Sequence, residues 1–257
     1  MQLNYTYSHA LDYISNSGDP NVSFSNAQFG AANTSIAYPD DPFHPFRFNY
    51  GPADYDVRHY FSANYVWQLP IRRALMGHGW SRLVDGWQVS GTVFLRSGLP
   101  FTLTDGGTSS ALESSNYGTA NAAAEVFGTQ LTNSGVYVNC GVPNQNICLN
   151  SSAFTTSPTN FGNVQRNSLR GPDYFSSDFT LMKFTSLLGW EKARVGVGAQ
   201  FFNVFNHPNF QQPVGDASSP NFGQILATVS PATSIFGSGL GADSSPRLIQ
   251  LKAEFEF

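Results

Sequence analysis

The stretch LIQLKAEFEF, residues 248–257, alternates without a break. Read in twos, Ile249, Leu251, Ala253, Phe255 and Phe257 fall on one side of a strand. Leu248, Gln250, Lys252, Glu254 and Glu256 fall on the other. One face is oily from end to end. A soluble protein must cover such a face with a second layer, whereas a bilayer covers it directly.

The same period of two recurs along the chain. Six segments carry it: about 2–11, 56–69, 84–104, 173–186, 193–206 and 246–257, separated by Gly, Ser, Asn and Pro tracts. In the second, Phe61, Ala63, Tyr65, Trp67 and Leu69 oppose Ser62, Asn64, Val66 and Gln68. In the third, Trp87, Val89, Gly91, Val93 and Leu95 oppose Gln88, Ser90, Thr92, Phe94 and Arg96. Helical periodicity is nearly absent. The chain reads as all-β and antiparallel.

Composition points the same way. The charged fraction is 12%, half the ~25% of a soluble domain, while 22 Phe, 11 Tyr and 4 Trp supply many rings. The net charge of −4 comes with no basic run, which sets nucleic acid aside. No stretch approaches the ~20 apolar residues of a membrane helix, but a membrane strand needs only about 9–11 residues of alternation. The opening MQLNYTYSHALDY has no basic region followed by an apolar one. Either the product stays inside the cell or Met1 is not its true N-terminus.

The joins between segments alternate in length. Those at about 70–83 and 187–192 are short; those at about 12–55, 105–172 and 207–245 are long and polar. Outer-membrane barrels place short turns on the periplasmic rim and long loops outside, so strict up-down order predicts this alternation. Parity then puts Phe255 and Phe257 at the periplasmic interface. Tyr65, Trp67, Trp80, Trp87 and Trp190 near segment ends suit an aromatic girdle. Six strands fall short of the eight of the smallest bacterial barrels. Open edges are costly in lipid. Either further strands hide in the long loops, for instance around Val136–Asn139, or the chain is the last part of a longer protein.

Candidate chemistry is sparse. Asp56, Arg58 and His59 in DVRHYF resemble an acid-base cluster, but the segment reads as a strand entering the membrane, with Asp56 and Arg58 beside Ser62 and Asn64 on the lumen side. FNVFNHPNF (202–210) reads as a strand end, because Pro208 cannot donate to a ladder and Asn206 and Asn209 favour turns. GSGLGAD (237–243) lacks the Lys-Ser/Thr and helix of a phosphate loop. The Asn-x-Ser/Thr sites at Asn4, Asn21, Asn33 and Asn150 carry no weight in a bacterium. Lys183, Lys192 and Lys252 read as side chains snorkelling to water at the periplasmic rim. Cys140 and Cys148 enclose CGVPNQNIC, which suits a small disulfide loop; two free thiols are the alternative, and two ligands make a poor zinc site. The expectation is no enzyme, no metal and no cofactor.

Several stretches, in order, resemble the barrel of the TonB-dependent receptor family, in its Oar-like branch with a carboxypeptidase-regulatory-like domain, of acidobacterial type. They are YTYSHALD (5–12), DVRHYFSANYVWQLP (56–70), LVDGWQVSGTVFLRSGLPFTL (83–103), FGNVQRNSLRGPDYFSSDFTLMKF (161–184), VGAQFFNVFNHPNF (197–210) and PRLIQLKAEFEF (246–257). The resemblance implies that residues 1–257 are the C-terminal part of a barrel of about 22 strands in the bacterial outer membrane. It implies outer-membrane lipids, the barrel-assembly machinery and the receptor's own plug as partners, and TonB only through an N-terminal part that this sequence lacks. Phe255 and Phe257 match the C-terminal assembly signal of such barrels. Ligand contact would then fall on the long loops, with Tyr38, Tyr117, Phe154 and Phe161 as aromatic candidates.

Two rivals remain at this stage. One is a small autonomous barrel of about eight strands serving as adhesin or anchor. The other is a secreted β-sandwich binding carbohydrate through exposed rings.

Overall fold

A computed structural model describes residues 1–12, 50–70, 85–105, 122–123, 147–154, 167–187, 193–217, 219–229 and 246–257. In chain order the strands are β1 (Gln2–Tyr7), β2 (Leu11–Asp12), β3 (Gly51–Pro52), β4 (His59–Gln68), β5 (Trp87–Arg96), β6 (Pro100–Phe101), β7 (Thr104–Asp105), β8 (Ala122–Ala123), β9 (Leu169–Arg170), β10 (Tyr174–Ser186), β11 (Arg194–Phe202) and β12 (Leu248–Glu256). Six of them form one sheet in the order β1-β4-β5-β10-β11-β12. Each pairs antiparallel with its neighbour. The other six make two-stranded ladders within the long joins. Among the described residues the sheet is not closed: β1 and β12 are its edges.

Register fixes which side chains share a face. Trp67 pairs with Val89, Val89 with Leu181, Leu181 with Ala199 and Ala199 with Leu251, a row of apolar residues across five strands. The adjacent row runs Val66, Ser90, Thr180, Gln200 and Gln250, and because it is one residue away it points to the opposite face. The same parity holds from β1 through β12. One face carries Leu3, Tyr5, Phe61, Trp67, Val89, Leu95, Val197, Ile249, Leu251 and Phe255; the other carries Asn4, Ser62, Asn64, Thr92, Asp178 and Glu254. On the apolar face Leu251 is 84% exposed, Trp67 60% and Ile249 61%, and no second sheet covers them among the described residues. In water this would be an aggregating surface. Against hydrocarbon each such side chain gains roughly 1.5–3 kcal/mol, so the sandwich reading loses its basis.

Lys183 and His59, the basic side chains of that face among the described residues, sit at its ends. Lys183 Nζ reaches back to the carbonyls of Asp85 and Phe184, as a snorkelling amine does at the short-join rim. His59, at the long-loop rim, holds the Tyr5 hydroxyl at 2.9 Å through Nδ1 and lies beside the Tyr5 and Tyr7 rings. On the polar face, Arg194 pairs with Glu256 directly across the ladder, and Lys252 with Glu254 at 3.1 Å.

Four segments are shorter than their alternation suggests, the fifth stopping at Phe202 rather than at residue 206. The first strand stops at Tyr7 rather than at residue 11, and the second starts at His59 rather than at residue 56. The third stops at Arg96 rather than running to 104. The cause is Gly98, whose backbone is pressed so closely on the Gly171 carbonyl that no Cβ fits. From there Pro100–Phe101 leaves the large sheet and pairs with Leu169–Arg170.

Candidate functional site

Buried structure concentrates at the bases of the long loops. Asp56 is 1% exposed, and its carboxylate accepts a bond from the Ala10 amide at 2.7 Å and from Arg58 Nε at 3.1 Å. Arg170 Nη2 contacts the same carboxylate, and His9 Nδ1 lies 3.3 Å away. The other Arg170 nitrogen donates to the backbone carbonyls of Asp56, at 3.1 Å, and Gly98, at 3.0 Å. Burial pushes the Asp56 carboxyl up, but the Ala10 amide and the Arg170 and Arg58 guanidiniums outweigh it and hold it below its ordinary value. One carboxylate thus ties the segment between β1 and β2, the approach to β4 and, through Arg170, β9, and Arg170 in turn reaches the Gly98 carbonyl just past β5. This corrects the placement of Asp56 and Arg58 in a strand facing the lumen: they precede β4 and knot the loop bases together.

Asn167 makes a second knot. Buried, with φ 54°, it donates from Nδ2 to the Pro52 carbonyl at 2.8 Å and to Asp54 at 2.6 Å, while its amide donates to Thr102 Oγ1 at 2.8 Å. Asparagine is one of the few residues that adopts this backbone cheaply. The FNVFNHPNF stretch closes β11 in the same manner. Buried Asn203, φ 48°, donates its backbone amide to the Asp178 carboxylate at 3.0 Å and brackets His207 through its side chain, donating to the His207 carbonyl at 2.8 Å and accepting from its amide at 3.0 Å.

Beyond the knots lies a small hydrophobic core of Phe101, Leu103, Leu149, Phe154 and Leu169. Phe154 meets Phe222 edge to face, ring centroids 5.5 Å apart. Residue 147 bridges to 224, and Gly223 accepts from the Cys148 amide at 2.7 Å. Gly223 has φ +73° and so little room beside Leu149 that a side chain would clash. The two loop segments enclose a concavity of about 600 Å³, lined by Ile147, Leu149, Phe154, Ala217, Pro220 and Phe222 together with Ser151, Ser219 and Gln224.

The sequence candidates are placed unevenly. Phe154 is 6% exposed, part of the loop core and of the concavity wall. Tyr38, Tyr117 and Phe161 lie outside the described residues, as do Trp80, Trp190, Cys140, Lys192, the stretch 136–139 and the stretch 237–243. Cys148 is buried and disulfide-bonded. Trp67 and Trp87 sit on the apolar face at the short-join rim, whereas Tyr65 stands further in, opposite Gly91. Phe255 and Phe257 stack at 5.9 Å on the apolar face of β12. Sequence reading missed Arg170, Asn167 and the pairing of 147–154 with 217–224. The clustering of Leu149 and Phe154 beside Cys148 was the available sign of a loop core.

No curated protein and no solved structure matches the chain. A family model described as an outer membrane beta barrel domain matches residues 1–250. The large sheet suits that description: β4, β5, β10, β11 and β12 are antiparallel strands of 9–13 residues with one lipid-compatible face and one polar face. The chain belongs to the outer membrane beta barrel domain family and is a protein of the bacterial outer membrane.

Proposed function

We propose that the chain is the C-terminal sector of the barrel of a TonB-dependent, Oar-like receptor that imports a ligand across the outer membrane. The observation that carries this reading is the asymmetry of the two rims. Short joins lie at one, and at the other lie long loops locked by Asp56 and Asn167 and organised around their own core. A passive wall needs no such superstructure; a receptor needs rigid loops that hold a ligand over the lumen. Six strands form a sector of a wider wall, since the smallest closed barrels use about eight. The chain itself does no chemistry and binds no cofactor. It forms wall and ligand-facing loops, while lipids, the assembly machinery and the rest of the receptor complete it. Energy from TonB enters through a plug borne by the rest of the receptor.

The test has two parts. The reading frame upstream of Met1 should continue with further alternating strands, a plug and a TonB box. The intact product should cross-link to the periplasmic domain of TonB. A frame without plug and box, and no cross-link, would leave the small-anchor reading in its place.

A further inference from the structure

The concavity in the long loops has chemistry that selects among ligands. Six of its nine lining residues are apolar, while polar atoms, among them the Ser151 and Ser219 hydroxyls and the Gln224 amide, make up the larger share of its accessible surface. No Lys, Arg, Asp, Glu or His is among the described lining residues. The volume of about 600 Å³ is that of a small-molecule site. We propose that this concavity binds an uncharged ligand, which inserts an aromatic or branched aliphatic group against the accessible faces of Ile147, Pro220 and Phe222. The proposal rests on the receptor reading for its purpose, though its geometry stands apart from it.

Two features make the site a built one. The residue 147–224 bridge and the bonds from the Cys148 and Leu149 amides to the Gly223 carbonyl hold one wall against the other, so little ordering is left to the ligand. The turns that carry the remaining residues close on themselves, Phe154 to Ser151 at 3.3 Å and Phe222 to Ser219 at 3.0 Å. An apolar group recovers about 25 cal/mol per Å² of the apolar wall it covers, and an uncharged hydrogen-bonding group satisfies the serines and Gln224 without bringing a charge out of water. A charged group gives up hydration there and meets no counter-charge.

The test uses the intact protein in lipid nanodiscs and fluorine NMR of two probes that share a ring, para-fluorobenzyl alcohol and para-fluorobenzoate. Empty nanodiscs supply the correction for partition into lipid. The alcohol should show binding beyond empty discs, and the carboxylate binding weaker by about tenfold or more. Ala217→Trp, which fills the concavity, should remove alcohol binding. Ile147→Asp should do the same, and because Ile147 is half exposed at the mouth this variant keeps the fold. Equal binding of both probes, no binding above empty discs, or binding unaffected by Ile147→Asp would each overturn the proposal. Binding is read without energised uptake, so absence of TonB coupling counts against the receptor reading alone.

Discussion

The ring of Tyr65 lies over Gly91, its direct partner across the β4–β5 ladder: a Cβ added at Gly91 would stand 2.6 Å from the tyrosine hydroxyl oxygen. The pair is an aromatic side chain filling the space that a glycine leaves in a sheet, which restores packing where the strand would be weakest.

Gly91→Val should therefore destabilise the protein by about 1–3 kcal/mol through overpacking. Urea unfolding of the refolded protein in detergent measures it. In a Tyr65→Ala background the same change should cost less, by a coupling of about 1 kcal/mol. Some cost should remain, because the Asp178 carbonyl also crowds the site. Strict additivity would show that the ring does not occupy that space.

Neighbouring positions on β12 test the two faces. Leu251→Arg should cost about 2–4 kcal/mol if its row lies near the bilayer midplane, and Gln250→Arg far less, because Gln250 faces the lumen. Val89→Arg and Ser90→Arg, in the same two rows on β5, should repeat the contrast. Equal losses on both faces would refute the register.

Asp56→Asn should loosen the loops while leaving the sheet assembled. It removes the anion shared by Arg58 and Arg170, a loss of roughly 3 kcal/mol at a buried pair. Limited proteolysis from outside should then cut the long loops faster. The pH dependence follows from a carboxyl whose folded value lies below its ordinary 3.8. Its stabilisation is fully present above that ordinary value and is lost as pH falls through the lower, folded one. Wild-type loops should thus resist protease unchanged from neutrality to about pH 5 and yield only in stronger acid. Loosening already near pH 6 would refute the assignment to Asp56.

Deleting Phe257 should lower the amount of assembled protein in the outer membrane without lowering synthesis, read as the heat-modifiable fraction on gels. Phe257 is 92% exposed beyond the last ladder pair, so its loss removes no buried contact. Normal assembly would refute a recognition role.

The large sheet was legible because alternation is local: each of the six strands carries its own period, and the two faces follow from parity. The end of β5 was not legible for the same reason. Leu99, Phe101 and Leu103 keep the odd parity of Val89, Val93 and Leu95, so their pattern continues a strand that Gly98 has already ended. Only the close approach to Gly171 reveals that they turn into the loop core. Asp56 was visible as a charge beside Arg58, but its partner Arg170 is 114 residues away, and nothing local announces such a partner. Phe154 was chosen as a loop aromatic; that it lines a concavity depends on 217–224 folding against it.

β10 pairs continuously with β5 on one side and β11 on the other, without a bulge in either ladder. A strand so fixed on both edges has no place to absorb a frame error. Loss of a single codon within β10 would turn everything downstream in that strand inside out, offering hydroxyls to hydrocarbon and rings to water. Across related genes this strand should keep its length even where its residues drift, whereas the loops, which carry no such paired register along both edges, are freer to lengthen and shorten.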